Sequence, residues 1–388
     1  MRLMTFLTRR QAWLLSKDIA REFRPAGKTI TGRTVERWFA FLREHGGFTY
    51  YPYPKASALG LQDILVQVRG LKDPKILGIL PFAASFNVEV GLADGAPFVT
   101  QAYWVPGDAL RPFEEFWETA RDLGLLEEAR ILRSRNTHTI FSPFHEAVTA
   151  DGHAEIPREL DNTYFASLLK RNLAERFEVR LAERVAASPL VIPIVIEHLW
   201  QHHSSKGVWE SIQAMGTEHL RRYGGNVLRK VGSPGAAVKL LQRQWRGLVE
   251  HYDEVFLQPR VFFDWPSLKD SVFLSCTIGT DSDKMLDTAL RISRWSIVTA
   301  FKPGLGPEGW CHLACFLPSS RVLNVLRIVH EAHRRREPPV VAMQDQEATF
   351  GLFQPAYCKV DWRLFDPVAL SWRFDGEAYM ERLKGLRP

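Results

Sequence analysis

The sequence predicts an α+β fold in which one structural unit occurs twice, as a tandem duplication. In both halves, segments with helical apolar spacing alternate with segments of strand-like spacing. Each half runs through helices into a β-α-β-β-α-β order, and the strand-like segment Leu61–Gly70 is echoed by Leu268–Gly279. A chain of 388 residues is longer than one compact core usually serves, so several domains are expected.

The first elements predict a helical head. Thr8–Phe23 has helical spacing, and Pro25 and Gly27 end that helix in a turn. Either Thr31 or Thr34 can cap the helix that follows. The buried stripe of that helix is predicted to be Val35, Trp38, Phe39 and Leu42.

The segment after this helix predicts a short hairpin, or wing. Gly46 and Gly47 are typical of a helix C-terminus. Phe48–Pro54 is rich in aromatic residues but carries Pro52, which suits an edge strand. Together the helices and hairpin predict a winged helix-turn-helix head.

The next block, from Leu61 to about Ile140, predicts a ferredoxin-like unit of β-α-β-β-α-β order. An Asp94-Gly95 turn marks a hairpin, and Asp108 can cap the second helix. The predicted elements are a strand at 61–70, a helix bent by Pro81 at 71–86, two strands at 87–107, a helix at 108–125 and a strand at 128–141.

The second half repeats this plan. Helices and a hairpin are predicted between Pro189 and Pro266, with Val238 in the place of Val35. The order β-α-β-β-α-β then recurs from Leu268 to about Phe353. The predicted boundaries are 1–58 for the first winged helix-turn-helix, 59–144 for the first ferredoxin-like domain, 145–184 for a linker and helix, 185–266 for a second winged-helix-like domain, 267–360 for the second ferredoxin-like domain and 361–388 for a C-terminal tail.

Composition excludes several classes of protein. Apolar residues make up 46% and charged residues 24%, as in folded globular proteins, and a net charge of +6 permits an anionic partner. No segment approaches the roughly 18 apolar residues of a membrane span, and no signal peptide is recognisable, which predicts a cytoplasmic protein. The four cysteines lie in the second half, and Cys311 and Cys315 are expected to be half-buried thiols.

The stretch Thr34–Gly70 resembles the Lrp/AsnC family of transcriptional regulators. In that family a Ser or Thr begins the recognition helix, a leucine follows in its last turns, and a glycine ends it before the wing. Thr34, Leu42 and Gly46 hold comparable places, whereas Trp38 is bulkier than the family norm. The resemblance implies a winged head that enters the major groove of double-stranded DNA, and paired ferredoxin-like domains.

The resemblance also implies an effector and an assembly. Family members often bind an amino acid or a similar small molecule between paired ferredoxin-like domains. Lys302–Gly309 is a partial candidate for a glycine-rich effector loop. One chain with both halves would form an intrachain pseudo-dimer, and a homodimer is also possible. No membrane partner, cofactor or metal is expected.

Candidate DNA contacts are basic residues and threonines, because Arg and Lys bind phosphate or guanine and Thr contacts phosphate or a thymine methyl. In the first head they lie at the start or on the polar face of the recognition helix. In the second head they form the densest basic cluster. The candidates are Lys28, Thr29, Thr31, Arg33, Thr34, Arg37, Arg221, Arg222, Arg229 and Lys230.

No nucleotide-binding loop or hydrolase motif was found, so the sequence does not predict an enzyme. Two alternatives stay open. One is an enzyme similar to siroheme decarboxylases, which share the Lrp/AsnC scaffold and bind an anionic tetrapyrrole. The other is an assembly or effector-binding protein whose heads make no DNA contact. The residues that suit the enzyme alternative are His138, His145, Arg130, Arg133 and Arg135.

Overall fold

A computed structural model describes most of the two halves of the chain. The described residues are 2–8, 14–46, 49–135, 137–141, 144–149, 151–161, 165–167, 169–170, 191–200, 210, 214, 234–250, 256–262, 268–305, 309–352, 360–366 and 368–386.

Helices and strands follow one another in the mixed order expected of an α+β protein. The strands are β1 (Thr49–Pro54), β2 (Leu61–Arg69), β3 (Ala83–Gly91), β4 (Pro97–Pro106), β5 (Glu128–Ser134), β6 (His138–Phe141), β7 (Phe256–Phe262), β8 (Ser271–Gly279), β9 (Val298–Pro303), β10 (Trp310–Pro318), β11 (Val340–Gln344), β12 (Phe365–Asp366) and β13 (Ser371–Trp372). The α-helices are α1 (Arg2–Thr8), α2 (Ser16–Glu22), α3 (Gly32–Gly46), α4 (Leu110–Asp122), α5 (Phe144–Ala147), α6 (Val191–Trp200), α7 (Pro234–Glu250), α8 (Ser282–Ser293), α9 (Val322–Ala332), α10 (Gln346–Leu352) and α11 (Gly376–Lys384).

Nine strands form one sheet in the order β5-β2-β4-β3-β11-β8-β10-β9-β6, and the pairings between neighbours are antiparallel. Each repeated unit contributes four strands in the same order: the fourth, first, third and second strand of the unit. The halves join where β11 pairs with β3, with Gln344 opposite Glu89. The strand β6 adds to the far edge by pairing with β9.

The sheet curls until its ends meet. Arg135 donates its backbone N–H to the carbonyl of Pro303, and Leu305 donates to the carbonyl of Arg133. An isolated bridge joins Ser134 to Gly304 between these two bonds. Because an open sheet edge exposes unpaired N–H and C=O groups, these contacts satisfy the edge of β5 near its C-terminal end.

The α+β class agrees with the prediction, but the predicted arrangement of separate ferredoxin-like domains carrying winged heads is wrong. The eight repeated strands lie in a single curled sheet with a shared inner face. The edge strand of each unit finds its partner in the other unit, because pairing the two edges satisfies more backbone groups than leaving both in water.

Each of the two predicted wings contributes a single strand to a shared ribbon. The strand β1 pairs antiparallel with β7, with Thr49 opposite Phe262 and Pro54 opposite Phe256. The register shifts between Tyr51 and Tyr53, on either side of a proline that has no N–H to donate. The predicted hairpins are therefore wrong, and the two heads are tied together instead.

Two hydrophobic cores cross between the halves. In one core, Leu7, Ile19 and Val35 of the first head pack with the inner residues of α8 and α9. In the other, α6 and α7 pack with the core of the first half through residues such as Ile192 and Leu241. Each head is thus buried against the sheet unit of the opposite half.

The C-terminal segment packs on the first half. Trp372 donates its indole N–H to the carbonyl of Leu59 at 2.7 Å, and its ring lies edge-on to Phe82. Tyr379 and Leu383 of α11 belong to the same core.

The predicted helix at 71–86 is also absent. Pro74–Gly78 forms a short 3-10 helix whose start is capped by the Asp73 carboxylate, and β3 begins at Ala83. Pro74 and Pro81 leave too few residues between them for a stable α-helix.

In the described part of the chain, no helix is both long enough and apolar enough to cross a membrane.

Candidate functional site

The inner face of the curled sheet carries polar side chains where a strand buried on both faces would usually be apolar. On β2, Asp63 and Gln67 point to this face, and on β8 Ser275 and Thr277 do so. These side chains are almost completely buried. Buried polar groups require partners, and the partners come from the opposite half of the chain.

One buried ion pair joins the two ends of the sheet. The Nζ of Lys302 on β9 lies 2.6 Å from Oδ1 of Asp63 on β2, with the two side chains 9% and 2% exposed. The hydroxyl of Thr137 donates to the other carboxylate oxygen of Asp63 at 2.9 Å. The ammonium and carboxylate compensate one another in a place that water does not reach.

A second chain of hydrogen bonds runs through Gln67, Thr277 and His312. The amide nitrogen of Gln67 donates to Oγ1 of Thr277 at 3.2 Å, and this hydroxyl lies 3.0 Å from Nδ1 of His312. Burial, with the nearby charge of Lys302, lowers the pKa of His312 from 6.5 to about 3. The imidazole is therefore neutral, and its Nδ1 shares a hydrogen bond with the Thr277 hydroxyl whose direction depends on the tautomer.

The third inner group is Glu89 on β3. Ser275 and Thr100 each donate a hydroxyl to its Oε2 at 2.8 Å. Burial raises the pKa of Glu89 to about 7, although both hydrogen bonds act in the opposite direction. This carboxyl group therefore changes its protonation close to neutral pH.

A cavity of about 810 Å³ opens beside the hydrogen bonds of Gln67, Thr277 and His312. Thr277 and Gly279 of β8 lie in its wall. Its other walls are Arg130–Arg133 of β5, the residues Leu305, Gly309 and Trp310 around the β9–β10 turn, and the segment His333–Pro338 after α9. It thus lies where the edge strand of the first half faces the second half.

The cavity is strongly cationic. The lining residues that the structure describes include five arginines (Arg130, Arg133, Arg334, Arg335 and Arg336) and one carboxylate, Glu337. Arg133 is compensated by Glu114, whose Oε1 lies 2.6 Å from Nη2. Within the described ranges, Arg130, Arg334 and Arg336 lie outside salt-bridge distance of any carboxylate, and all three are exposed. Unpaired guanidinium groups around one cavity favour an anionic ligand.

The arginine segment is held in place by His333. Gly279 donates its N–H to Nδ1 of His333 at 3.3 Å, and Nε2 of the same ring donates to the carbonyl of Glu337 at 2.5 Å. The stem of Arg335 lies directly over Gly279, where a Cβ would collide with its Cγ. Glycine at this position therefore lets the arginine segment lie against β8.

A second glycine shapes the opposite wall. A Cβ on Gly304 would collide with the indole of Trp310. Gly304 belongs to the loop that the sequence singled out as a partial effector loop. This loop contributes Leu305 and Gly309 to the cavity wall, and its Gly304 packs against Trp310, which also lines the cavity.

The three cysteines that the structure describes lie on the other face of the sheet and do not line the cavity. Cys276, Cys311 and Cys315 are fully buried in the core, deeper than the half-buried position expected for Cys311 and Cys315. Burial raises the pKa of Cys311 and of Cys315 to about 12, so both remain thiols. Among the residues that the structure describes, no group of three or more His, Cys, Asp or Glu is arranged to hold a metal ion.

The predicted DNA contacts of the first head lie on an exposed surface. Thr31 caps α3 by accepting the N–H of Thr34 at Oγ1, at 3.2 Å. Val35 is buried, and Trp38, Phe39 and Leu42 are partly buried, as the predicted stripe requires. The exposed candidates are Lys28, Thr29, Thr31, Arg33 and Arg37, and Thr34 is half-buried.

Two tyrosines of the first wing, Tyr50 and Tyr53, do not share this exposure. Tyr53 is buried edge-on against Trp104, and the hydroxyl of Tyr50 accepts the backbone N–H of Leu14. Both therefore serve packing within the protein.

In the second head, the predicted contacts Arg221, Arg222, Arg229 and Lys230 lie outside the described residues. Its helix α7 exposes Lys239, Arg243 and Arg246.

The residues of the enzyme alternative are only partly brought together. Arg130 and Arg133 line the cavity, but His138 is buried near Phe301 in the core of the second half. The side chain of His145 is not among those that the structure describes. Arg334–Arg336 are not among the residues that the sequence singles out, because basic residues at the end of a helix are already explained by the helix dipole. The sequence signal that could have indicated a binding segment is the run of three consecutive arginines just beyond that helix.

Comparisons with known proteins add little to this geometry. No family model and no curated protein matches the chain. One solved structure, described as an anthrone oxidase-like protein, aligns with a TM-score of 0.30 and 8% identity over 74% of this chain and 91% of that one. A likeness this weak supports no conclusion about fold or function.

Proposed function

We propose that this protein is a DNA-binding transcriptional regulator of Lrp/AsnC type that uses the first head to contact duplex DNA. The observation that carries the proposal is the cationic surface at the start of α3. Lys28, Arg33 and Arg37 are exposed there, and in the described part of the chain none has a carboxylate within ion-pair distance. Guanidinium and ammonium groups left free in this way are available to phosphate.

The way in which the halves join supports the proposed intrachain pseudo-dimer. The strands β1 and β7 pair across the halves, and β3 pairs with β11. Each head also packs on the opposite unit. Two symmetric subunits that each pack a strand and a head on the other would show this arrangement if they were fused into one chain.

DNA binding can be tested by fluorescence anisotropy with labelled duplex at two salt concentrations. We expect wild-type affinity to fall steeply with salt, because each neutralised phosphate releases counterions. The triple variant Lys28→Ala, Arg33→Ala, Arg37→Ala should bind far more weakly, with a log–log salt slope reduced by roughly 3 if each residue contacts one phosphate.

A matched control removes the same charge elsewhere. Arg111, Arg121 and Lys384 are exposed on α4 and α11, away from α3, and their triple alanine variant should keep wild-type DNA affinity. If both triple variants bind alike, the proposed surface is wrong. Failure of the wild type to bind duplex at low salt would favour an assembly or effector-binding protein without DNA contact.

A second candidate is an enzyme on the same scaffold that acts on an anionic substrate, as siroheme decarboxylases do. The specific observation in its favour is that Arg130 and Arg133, two of its candidate residues, line the 810 Å³ cavity. Against it, His138 lies away from that cavity. We therefore rank it behind the regulator.

A further inference from the structure

The charge of the cavity beside β8 does not suit a neutral or zwitterionic ligand. A bound amino acid presents one carboxylate and one ammonium, and the ammonium needs an anionic partner. Among the lining residues that the structure describes there are five arginines, and Glu337 is the only carboxylate. An ammonium group would therefore meet mostly like charge, whereas each added anionic group on a ligand would find an arginine.

Apolar side chains also line the cavity between the arginines. Ile131, Leu132 and Leu305 contribute aliphatic surface, and Trp310 contributes an indole that is 8% exposed. A volume of about 810 Å³ falls within the range of pockets for small organic ligands. The cavity therefore suits a molecule with an organic body and two or more anionic groups.

We propose that this cavity binds an organic polyanion bearing carboxylate or phosphate groups, held between Arg130 on one side and Arg334–Arg336 on the other. Bidentate guanidinium contacts suit both anion types, because carboxylate and phosphate each present paired oxygens. This ligand class replaces the amino acid expected from the family resemblance. The proposal goes beyond DNA binding and does not depend on it.

Such a ligand would clamp the two halves together. Arg130 belongs to the first half, on the edge strand β5, and Arg334–Arg336 follow α9 of the second half. A ligand that binds only the folded state raises the unfolding temperature in a concentration-dependent way. Binding should therefore be visible as thermal stabilisation as well as heat.

The test uses isothermal titration calorimetry and thermal shift on the full chain with three probes: citrate, inorganic pyrophosphate and leucine. We expect citrate, pyrophosphate or both to bind and to raise the melting temperature, with leucine giving neither effect. The relative affinities of citrate and pyrophosphate then distinguish a carboxylate ligand from a phosphate ligand.

The variants Arg130→Gln and Arg336→Gln each remove one exposed arginine from the cavity. Each should weaken binding of the better probe by about tenfold, the usual loss for one charge-assisted contact. The controls Arg111→Gln and Arg121→Gln remove exposed arginines of α4 outside the cavity and should bind as the wild type does.

Three results would overturn the proposal: no binding of citrate or pyrophosphate to the wild type, wild-type affinity in both cavity variants, or leucine binding as tightly as the anions. DNA binding is scored separately on the same preparations. The Lys28, Arg33 and Arg37 triple variant should keep its affinity for the anionic probe, so either proposal can fail alone.

Discussion

Glu89 is the residue whose chemistry depends most on its surroundings. On an exposed strand it would be an ordinary ionised carboxylate, but the inner face of the sheet surrounds it completely. Two hydroxyl donors favour the charged form, and desolvation outweighs them and raises the pKa to about 7. One donor, Ser275, belongs to the opposite half, so this protonation step takes place at the junction between the halves.

The raised pKa of Glu89 predicts a specific pH dependence of stability. Because the folded state holds this proton more tightly than the unfolded state, its contribution to stability is complete below about pH 4.5. It is then lost as the pH rises through about 7. Glu89→Gln does not titrate. Its free energy of unfolding relative to wild type should therefore rise by about 3 kcal/mol between about pH 4.5 and mildly alkaline pH.

Urea unfolding of both proteins across this pH range checks the prediction. The control Glu118→Gln changes an exposed glutamate of α4 and should show no such pH-dependent difference. A difference between Glu89→Gln and wild type that stays constant with pH would show that folding does not raise the pKa of Glu89.

At the scale of the element, α3 illustrates how local sequence sets a helix. Thr31 supplies the cap, and the apolar spacing of Val35, Trp38 and Leu42 supplies the face that packs in the core. The opposite face keeps Arg33 and Arg37 in water. A single helix thus serves both packing and the proposed DNA contact, with different residues for each.

The cap makes a prediction about α3. Thr31→Ala leaves the N–H of Thr34 without its side-chain acceptor and should lower the free energy of unfolding by about 1 kcal/mol. Thr31→Ser should retain most of the stability, since serine offers the same oxygen. Chemical denaturation followed by circular dichroism measures both.

Thr29→Ala is the matched control for this change. Thr29 is equally exposed two residues earlier and precedes the helix. An equal loss of stability in Thr29→Ala and Thr31→Ala would mean that the capping bond is not the cause.

At the scale of the whole molecule, polar contacts inside the curled sheet interlock the two halves. Lys302 pairs with Asp63, Gln67 donates to Thr277, and Ser275 donates to Glu89. Each of these contacts joins a residue of the first half to a residue of the second. The halves are therefore joined by the interior as well as by the edge pairing of β3 and β11.

Breaking the Lys302–Asp63 pair should be far more damaging than breaking a surface pair. Asp63→Ala leaves the buried ammonium without this carboxylate, and we expect a loss of about 3–5 kcal/mol in the free energy of unfolding. Glu115→Ala breaks the exposed pair with Arg111 and should cost less than about 1 kcal/mol.

The double variant Asp63→Leu, Lys302→Met replaces the pair by apolar side chains and should recover much of the loss. Equilibrium denaturation of the variants provides the comparison. Equal losses for Asp63→Ala and Glu115→Ala would contradict the burial argument.

The sequence predicted elements best where a local signal was strong. The strand beginning at Leu61, the helix after Asp108 and the helix after Asp281 were found because their apolar periodicity is clear. It failed at 71–86, where apolar residues suggested a helix but two prolines allow only a 3-10 turn. It also failed at the wings, because a strand does not encode which partner it will pair with.

The candidate site was predictable only in fragments. Arg130, Arg133 and the loop Lys302–Gly309 were singled out for separate reasons, and Arg334–Arg336 were not singled out. Their convergence depends on a sheet that curls until β5 faces β8, which brings together residues about 200 positions apart. No local pattern carries that information.

The sequence by itself determined the α+β class, the repeated series of strands, the buried stripe of α3 and its exposed cationic face. These follow from periodicity, capping and punctuation by glycine and proline, which act over a few residues. Only the tertiary structure decided that the two units share one sheet, that each head packs on the opposite unit and that five arginines line one cavity. Edge pairing and core packing are contacts between distant residues, so they are settled by which surfaces fit together when the whole chain folds.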